Sequence, residues 1–279
     1  LDDAIESLTG RGPFHDEPFP FQKDGKSPVD AIKRFADQLD NFGARLILVS
    51  IPSKAMIYPE KINHNIKGPI SHPDAQRLVN ELNSLPNLDV LDLTRSLFNL
   101  KKDKKVFLKQ DTHWTPEAME EAAKIIANHI KSMDINIDKV NLNPKQKEGR
   151  KAYGDLVEKI NIWDGAFNQE SVIAKPIKGN TRDRNSEIIL LGDSFTNIYS
   201  SNEGLGWGNN AGLPEHIASN VGTPIDVISI NGGGATEVRK KLAQRRGSSE
   251  DMKNKKVVIW AITCRDLFLS QDQCIDRNI

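Results

Sequence analysis

An α/β domain with a mainly parallel central sheet and helices on both faces is predicted by three features of the sequence. Short apolar runs rich in β-branched residues and leucine recur without polar alternation. Segments of helical spacing lie between them, and polar clusters fall where the runs end.

In chain order, residues 1–27 are rich in Pro and Phe with weak periodicity and read as an extended N-terminal segment. Pro28 to Phe42 places Ile32, Phe35, Ala36 and Leu39 at helical spacing and stops before Gly43. Ala44 to Ile51 (ARLILVSI), ending at Pro52, has the pattern of a strand buried on both faces. Pro73 to Leu85 is a second helix and Leu88 to Leu93 a second strand, and Lys101 to Lys105 is a loop before another strand. After Trp114 comes the clearest helix. Thr115 can cap it, Pro116 suits its first turn, Glu117 favours the positive end of its dipole, and Met119, Ala122, Ala123, Ile126, Ala127 and Ile130 form one stripe. This places His113 at a strand-to-helix junction. Residues 136–181 are polar with scattered Gly and Pro, an insertion before the next strand. Strands follow at Glu187 to Leu191, Ile225 to Ile230 and Lys256 to Ile262, with a basic helix from Ala235 to Arg246. The organisation expected is thus a segment 1–27 and one domain over 28–279.

Composition narrows the function. Lys and Arg number 38 against 38 Asp and Glu, which leaves no basic surplus for nucleic acid and suits a small or locally gripped substrate. No run approaches the roughly 18 to 20 apolar residues that cross a bilayer, and no signal sequence opens the chain. Cys264 and Cys274 lack the third Cys or His of a zinc set, so no metal is expected. A disulfide between them and two free thiols are both open.

Ligands of open α/β sheets bind at the carboxyl ends of strands. At one such end stands Leu190-Leu191-Gly192-Asp193-Ser194-Phe195-Thr196, where Ser194 is either a displayed nucleophile or a helix cap. It is not the G-x-S-x-G elbow, because Thr196 replaces the second glycine. Asp111-Thr112-His113-Trp114 supplies what a serine needs. In extended backbone residues i and i+2 point the same way, so Asp111 could orient the imidazole while His113 takes the hydroxyl proton. The alternative is that both serve the turn before Thr115. The remaining histidines, at 15, 64, 72, 129 and 216, have no such carboxylate and read as surface or loop residues. Asn231-Gly232-Gly233-Gly234 suits an oxyanion hole and a flexible turn equally. Arg239, Lys240, Lys241, Arg245 and Arg246 read as a solvated helix face.

GDSF at Gly192 to Phe195, placed after D-x-H-W at Asp111 to Trp114, resembles the SGNH-hydrolase-like domain of alginate O-acetyltransferases of the AlgJ/AlgX type. The order is diagnostic, since ordinary SGNH esterases carry the serine block first. Ile51-Pro52-Ser53-Lys54, Ile57-Tyr58-Pro59 and Trp260 to Leu267 add to the likeness, which spans about Pro28 to Leu267. Ala261 stands where the family has an acidic residue after Trp260. Because the chain ends at Ile279, without a carbohydrate-binding module, the AlgJ type is the nearer expectation.

The resemblance implies a three-layer α/β sandwich, with Ser194 as nucleophile, His113 as base and Asp111 as orienting acid. Gly233, Asn231 and Trp114 are the expected oxyanion and substrate contacts. It implies acetyl transfer through an acetyl-serine to hydroxyls of an exported polysaccharide, with no cofactor. It further implies a membrane-bound O-acyltransferase as the partner that delivers acetyl groups, and a periplasmic or cell-envelope location with an anchor in an N-terminal segment outside this sequence. Two alternatives share the fold: a carbohydrate acetylesterase, and a non-catalytic polysaccharide-assembly protein. A His113 to Ser194 separation beyond about 5 Å would favour the last.

Overall fold

The computed structural model describes residues 28–71, 75–133, 135, 139–140, 142–144, 146–160, 166–201, 206–245, 248–264 and 267. Its strands are β1 (Arg45–Ile51), β2 (Leu88–Asp92), β3 (Asn143–Pro144), β4 (Glu148–Ala152), β5 (Glu170–Ala174), β6 (Ile177–Lys178), β7 (Ile188–Gly192), β8 (Asp226–Ser229) and β9 (Val257–Thr263). The chain divides into two compact units. Among the described residues, unit 1 comprises those within 28–95, 187–193 and 228–267, and unit 2 those within 96–186 and 194–227.

Unit 1 is built on a five-stranded sheet of order β2-β1-β9-β7-β8. β1 pairs in parallel with β2 and with β9, and β7 pairs in parallel with β9. The α/β class with a mainly parallel sheet is therefore found, and the strands fall within a residue or two of the apolar runs that predicted them. Leu46, Leu48, Ile189, Leu191, Val258, Trp260 and Ile262 point one way, into an interior shared with Ile32, Phe35 and Leu39 of helix Pro28–Asp40. Leu78 and Leu82 of helix Ala75–Asn83 and Val238 and Leu242 of helix Gly234–Ala243 complete it. The alternate residues Ile47, Val49, Ile51, Ile188, Leu190, Val257 and Ile259 are buried as well, which is why these strands show no polar alternation.

One expectation fails in this unit. Arg239 is only 3% exposed, and its guanidinium lies 5.0 Å from the Trp260 ring centroid and 5.5 Å from that of Phe35. The planar guanidinium is weakly hydrated and stacks on aromatic faces, so a basic residue reached the interior where charge counting placed it in solvent. Cys264 is buried with its Sγ 3.0 Å from Met56 Sδ. Cys274, and with it any disulfide, lies outside the described residues, as do residues 1–27.

Unit 2 contains helix Pro116–Ser132, which follows its sequence signals. Thr115 has extended backbone and its hydroxyl accepts from Ala118 N–H at 3.3 Å, while the predicted stripe is buried. It packs against helix Leu213–Val221. The described residues of the polar insertion form two antiparallel ribbons, β4 with β5 and β3 with β6, and helix Asp155–Ile160. Among the described residues no strand leads directly into His113: Phe107 and Trp114 form only an isolated antiparallel bridge that closes the loop between them. His216 departs from the surface reading too. It is 8% exposed in helix Leu213–Val221, and its Nε2 lies 3.0 Å from Lys175 O. Burial pushes its pKa down against the opposing pull of Glu120 and Glu215.

Candidate active site

Ser194 opens unit 2 after β7 and begins the short helix Ser194–Asn197. A helix turn leaves its first N–H groups without intrahelical acceptors, so a residue here presents its hydroxyl beside an amide that can receive developing negative charge. The Ser194 hydroxyl is 2.7 Å from His113 Nε2, and His113 Nδ1 is 2.6 Å from Asp111 Oδ1. The hydroxyl is thus engaged with the imidazole rather than with the helix that Ser194 begins. His113 and Asp111 are 5% and 3% exposed, whereas Ser194 is half-buried.

The route by which Asp111 meets His113 differs from the one predicted. Residues 109–113 form a bend, and His113 N–H donates to Asp111 Oδ1 at 2.9 Å, closing an Asx-type turn that brings the two side chains together. The spacing D-x-H was informative, but through turn chemistry and not through strand alternation.

Residues invisible as site residues in the sequence hold this loop. Trp207, 1% exposed, donates from Nε1 to Asp111 Oδ2 at 2.9 Å, and Asp155 N–H donates to the same oxygen at 3.2 Å. Asp155 in turn accepts from Thr112 N–H and from the Thr112 hydroxyl, both at 2.8 Å. Glu170 accepts from Lys109 N–H and Gln110 N–H, each at 2.9 Å. Burial pushes the Asp111 carboxyl up, but the His113 side chain, charge and amide and the Trp207 indole outweigh it and hold its pKa at about 2. Asp111 is therefore a carboxylate across the neutral range, which favours the His113 tautomer that carries its proton on Nδ1 and leaves Nε2 facing the serine.

Trp114, expected to contact substrate, is fully buried. Its indole donates to Phe195 O at 3.0 Å and its own carbonyl accepts from Tyr199 OH at 2.7 Å, so it braces the segment that carries Ser194. Phe195 covers the imidazole at 4.7 Å between ring centroids. Asn231 and Gly233 belong to unit 1. Gly233 N–H donates to Ile230 O at 2.9 Å, so it is engaged within its own turn and not presented to an oxyanion. Its lack of a side chain has a local cause, since a Cβ would meet Ile230 Cβ at 2.8 Å. Asn231 is exposed.

Among the described residues, Asp111, His113 and Asp155 bring ligand-type atoms within 4.8 Å of one another. Each of the three is engaged in hydrogen bonds, Asp111 with His113 and Asp155 with Thr112 and Lys159.

A mainly parallel α/β sheet with this Asp, His and Ser order defines an SGNH-hydrolase-like protein. The chain belongs to the family described as "SGNH hydrolase-like domain, acetyltransferase AlgX", whose profile matches residues 22–263. A relative from Pseudomonas aeruginosa, "Probable alginate O-acetylase AlgJ", is 28% identical over 148 residues, 52% of this chain and 38% of its own length. The O-acetyltransferase domain of Pseudomonas putida AlgJ superposes with a TM-score of 0.68 at 21% identity, covering 88% of this chain and 83% of that one. Pseudomonas aeruginosa AlgX gives 0.62 at 18% identity over 85% and 55% of the respective chains. At these identities the two structures speak for the fold. The chain spans well under half the length of the curated relatives it matches.

Proposed function

We propose that this protein is an O-acetyltransferase that places acetyl groups on hydroxyls of an exported polysaccharide, alginate or a similar polymer, through an acetyl-Ser194 intermediate. The observation that carries the reading is the 2.7 Å contact between Ser194 Oγ and His113 Nε2, with Asp111 behind the imidazole. This distance is shorter than the roughly 5 Å beyond which a non-catalytic relative would be preferred, and so supports the catalytic reading. The names of the relatives support the acetyl group and the polymer.

His113 takes the Ser194 proton as Oγ attacks the acetyl carbonyl, and the oxyanion is stabilised by the Ser194 N–H. Collapse expels the donor's leaving group, which receives that proton from His113, and leaves acetyl-Ser194. A sugar hydroxyl then gives its proton to His113 and attacks the acetyl-serine, and Ser194 departs with the proton restored. Asp111 stays ionised throughout and stabilises the imidazolium. Asn231 is retained as a candidate substrate contact and residues 28–279 as the catalytic region. The family likeness supports a membrane-bound O-acyltransferase as acetyl source and a periplasmic or envelope setting. Among the described residues no helix is long and apolar enough to cross a membrane.

The test is Ser194→Ala. It should abolish release of p-nitrophenol from its acetate ester while leaving the thermal midpoint unchanged, and unaltered turnover would remove the reading. Mass spectrometry of exopolysaccharide oligomers incubated with an acetyl donor separates transferase from esterase: a gain of acetyl groups supports transfer, and loss alone supports hydrolysis.

A further inference from the structure

From the geometry of unit 2 we infer that Trp207 is a positioning residue of the acyl-transfer reaction, acting through the hydrogen bond from its indole N–H to Asp111. The inference rests on the proposed function and deepens it by adding a member to the machinery.

Four donors are described on the Asp111 carboxylate. Oδ1 receives His113 Nδ1–H and His113 N–H, and Oδ2 receives Trp207 Nε1–H and Asp155 N–H. That is about the capacity of a carboxylate. The two donors on Oδ1 belong to His113, two residues along the same turn, whereas those on Oδ2 come from residues 44 and 96 positions away and tie the carboxylate to those segments. Asp155 N–H is the longer of the two at 3.2 Å, against 2.9 Å for Trp207, and a rigid indole aims its single donor more narrowly than a flexible side chain.

Trp207 is itself held from the far side of its segment. Asn210 N–H donates to Ser200 O at 3.0 Å and Ala211 N–H to Tyr199 O at 3.0 Å. Glu215, fully buried, then accepts from the Ser200 hydroxyl at 2.6 Å, Gly212 N–H at 3.0 Å and Arg182 Nε at 2.9 Å. Gly212 leaves room for this staple, since a Cβ there would lie 2.1 Å from Ser200 Oγ. Such an investment of a buried carboxylate in one loop is costly unless its partners are fixed, and here they anchor the residue that grips Asp111.

The test replaces Trp207 with 3-benzothienylalanine, which keeps the ring shape and exchanges the N–H for sulfur. Expected are a kcat lowered about tenfold to a hundredfold, the scale of one hydrogen bond to a charged group, with KM within about twofold. The thermal midpoint should fall by no more than the few degrees one buried hydrogen bond is worth, and the low-field proton resonance of His113 Nδ1–H should move. In an Asp111→Ala background, Trp207→Phe should cost no further activity, because the group it acts through is gone. An unchanged kcat and an unmoved resonance in the isostere would overturn the inference, as would an additive loss in the double variant. Ser194→Ala measured alongside separates the cases. If it is inactive while the isostere is fully active, only the role of Trp207 falls; if Ser194→Ala turns over normally, the acyl-transfer reading falls and this inference with it.

Discussion

In unit 1, Leu48 of β1 stands in register with Trp260 of β9 within an interior of aliphatic and aromatic side chains. In unit 2, the loop around Asp111 is fixed by carboxylates receiving amides and by one indole N–H. The first kind of order is non-directional and tolerates exchange of one hydrophobe for another of similar volume. The second is directional: each bond has one geometry, and losing a partner strands a buried polar group. The contrast implies that a substitution in the sheet of unit 1 acts on stability alone, whereas one in the loop of unit 2 acts on rate and on stability together.

The largest effect on rate is expected from Asp111→Asn, which keeps the shape of the loop but cannot hold the imidazole in its working tautomer. A fall in kcat of about ten-thousandfold, read from acetyl ester turnover, is the scale of that change in a Ser-His-Asp site. The same variant reports on pH. Because Asp111 titrates at about 2 in the fold, below an ordinary value of about 3.9, its ionisation stabilises the protein above that ordinary range and ceases to do so as pH falls through 2. The difference in denaturation midpoint between parent and Asp111→Asn should therefore be full near neutrality and close under strongly acid conditions.

Leu48→Ala should do the reverse, lowering unfolding free energy by about 2 to 5 kcal/mol in denaturant titration while kcat per folded molecule holds. A drop in that corrected kcat would break the division between the regions. Glu170→Ala comes next, freeing the Lys109 and Gln110 amides, and should lower kcat about tenfold with KM little changed. Least of all, Lys253→Ala removes an exposed pairing with Glu250 and should shift stability by no more than about 0.5 kcal/mol.

The same contrast decides what could be read in advance. Buried strands announce themselves because both faces demand apolar residues, so Arg45–Ile51 and Val257–Thr263 appear in the sequence as unbroken runs. Thr115 and Pro116 mark a helix start because capping is local. Ser194, His113 and Asp111 were recognisable through their motifs, and Asp111 and His113 lie close enough in sequence for one turn to join them. Trp207 and Glu170 were not. They reach Asp111 and Gln110 across 96 and 60 residues, and neither a tryptophan nor a glutamate in a polar stretch says which distant group it will meet. Trp114 and Arg239 were misplaced for a related reason: a side chain with both ring or stem and polar tip fits surface and interior alike, and only its neighbours decide.

Gly154 sets a boundary for anyone who reshapes this protein. A Cβ at that position would stand 2.0 Å from Gln110 O, the same carbonyl that accepts Leu156 N–H at 3.0 Å. Two strands of chain from different parts of the sequence touch there backbone to backbone, with no side chain to act as spacer. A loop graft in this region can exchange the ribbon residues beyond this contact. A graft whose junction replaces Gly154 would push apart the segments that carry Gln110 and Leu156, and it would fail for a steric reason alone.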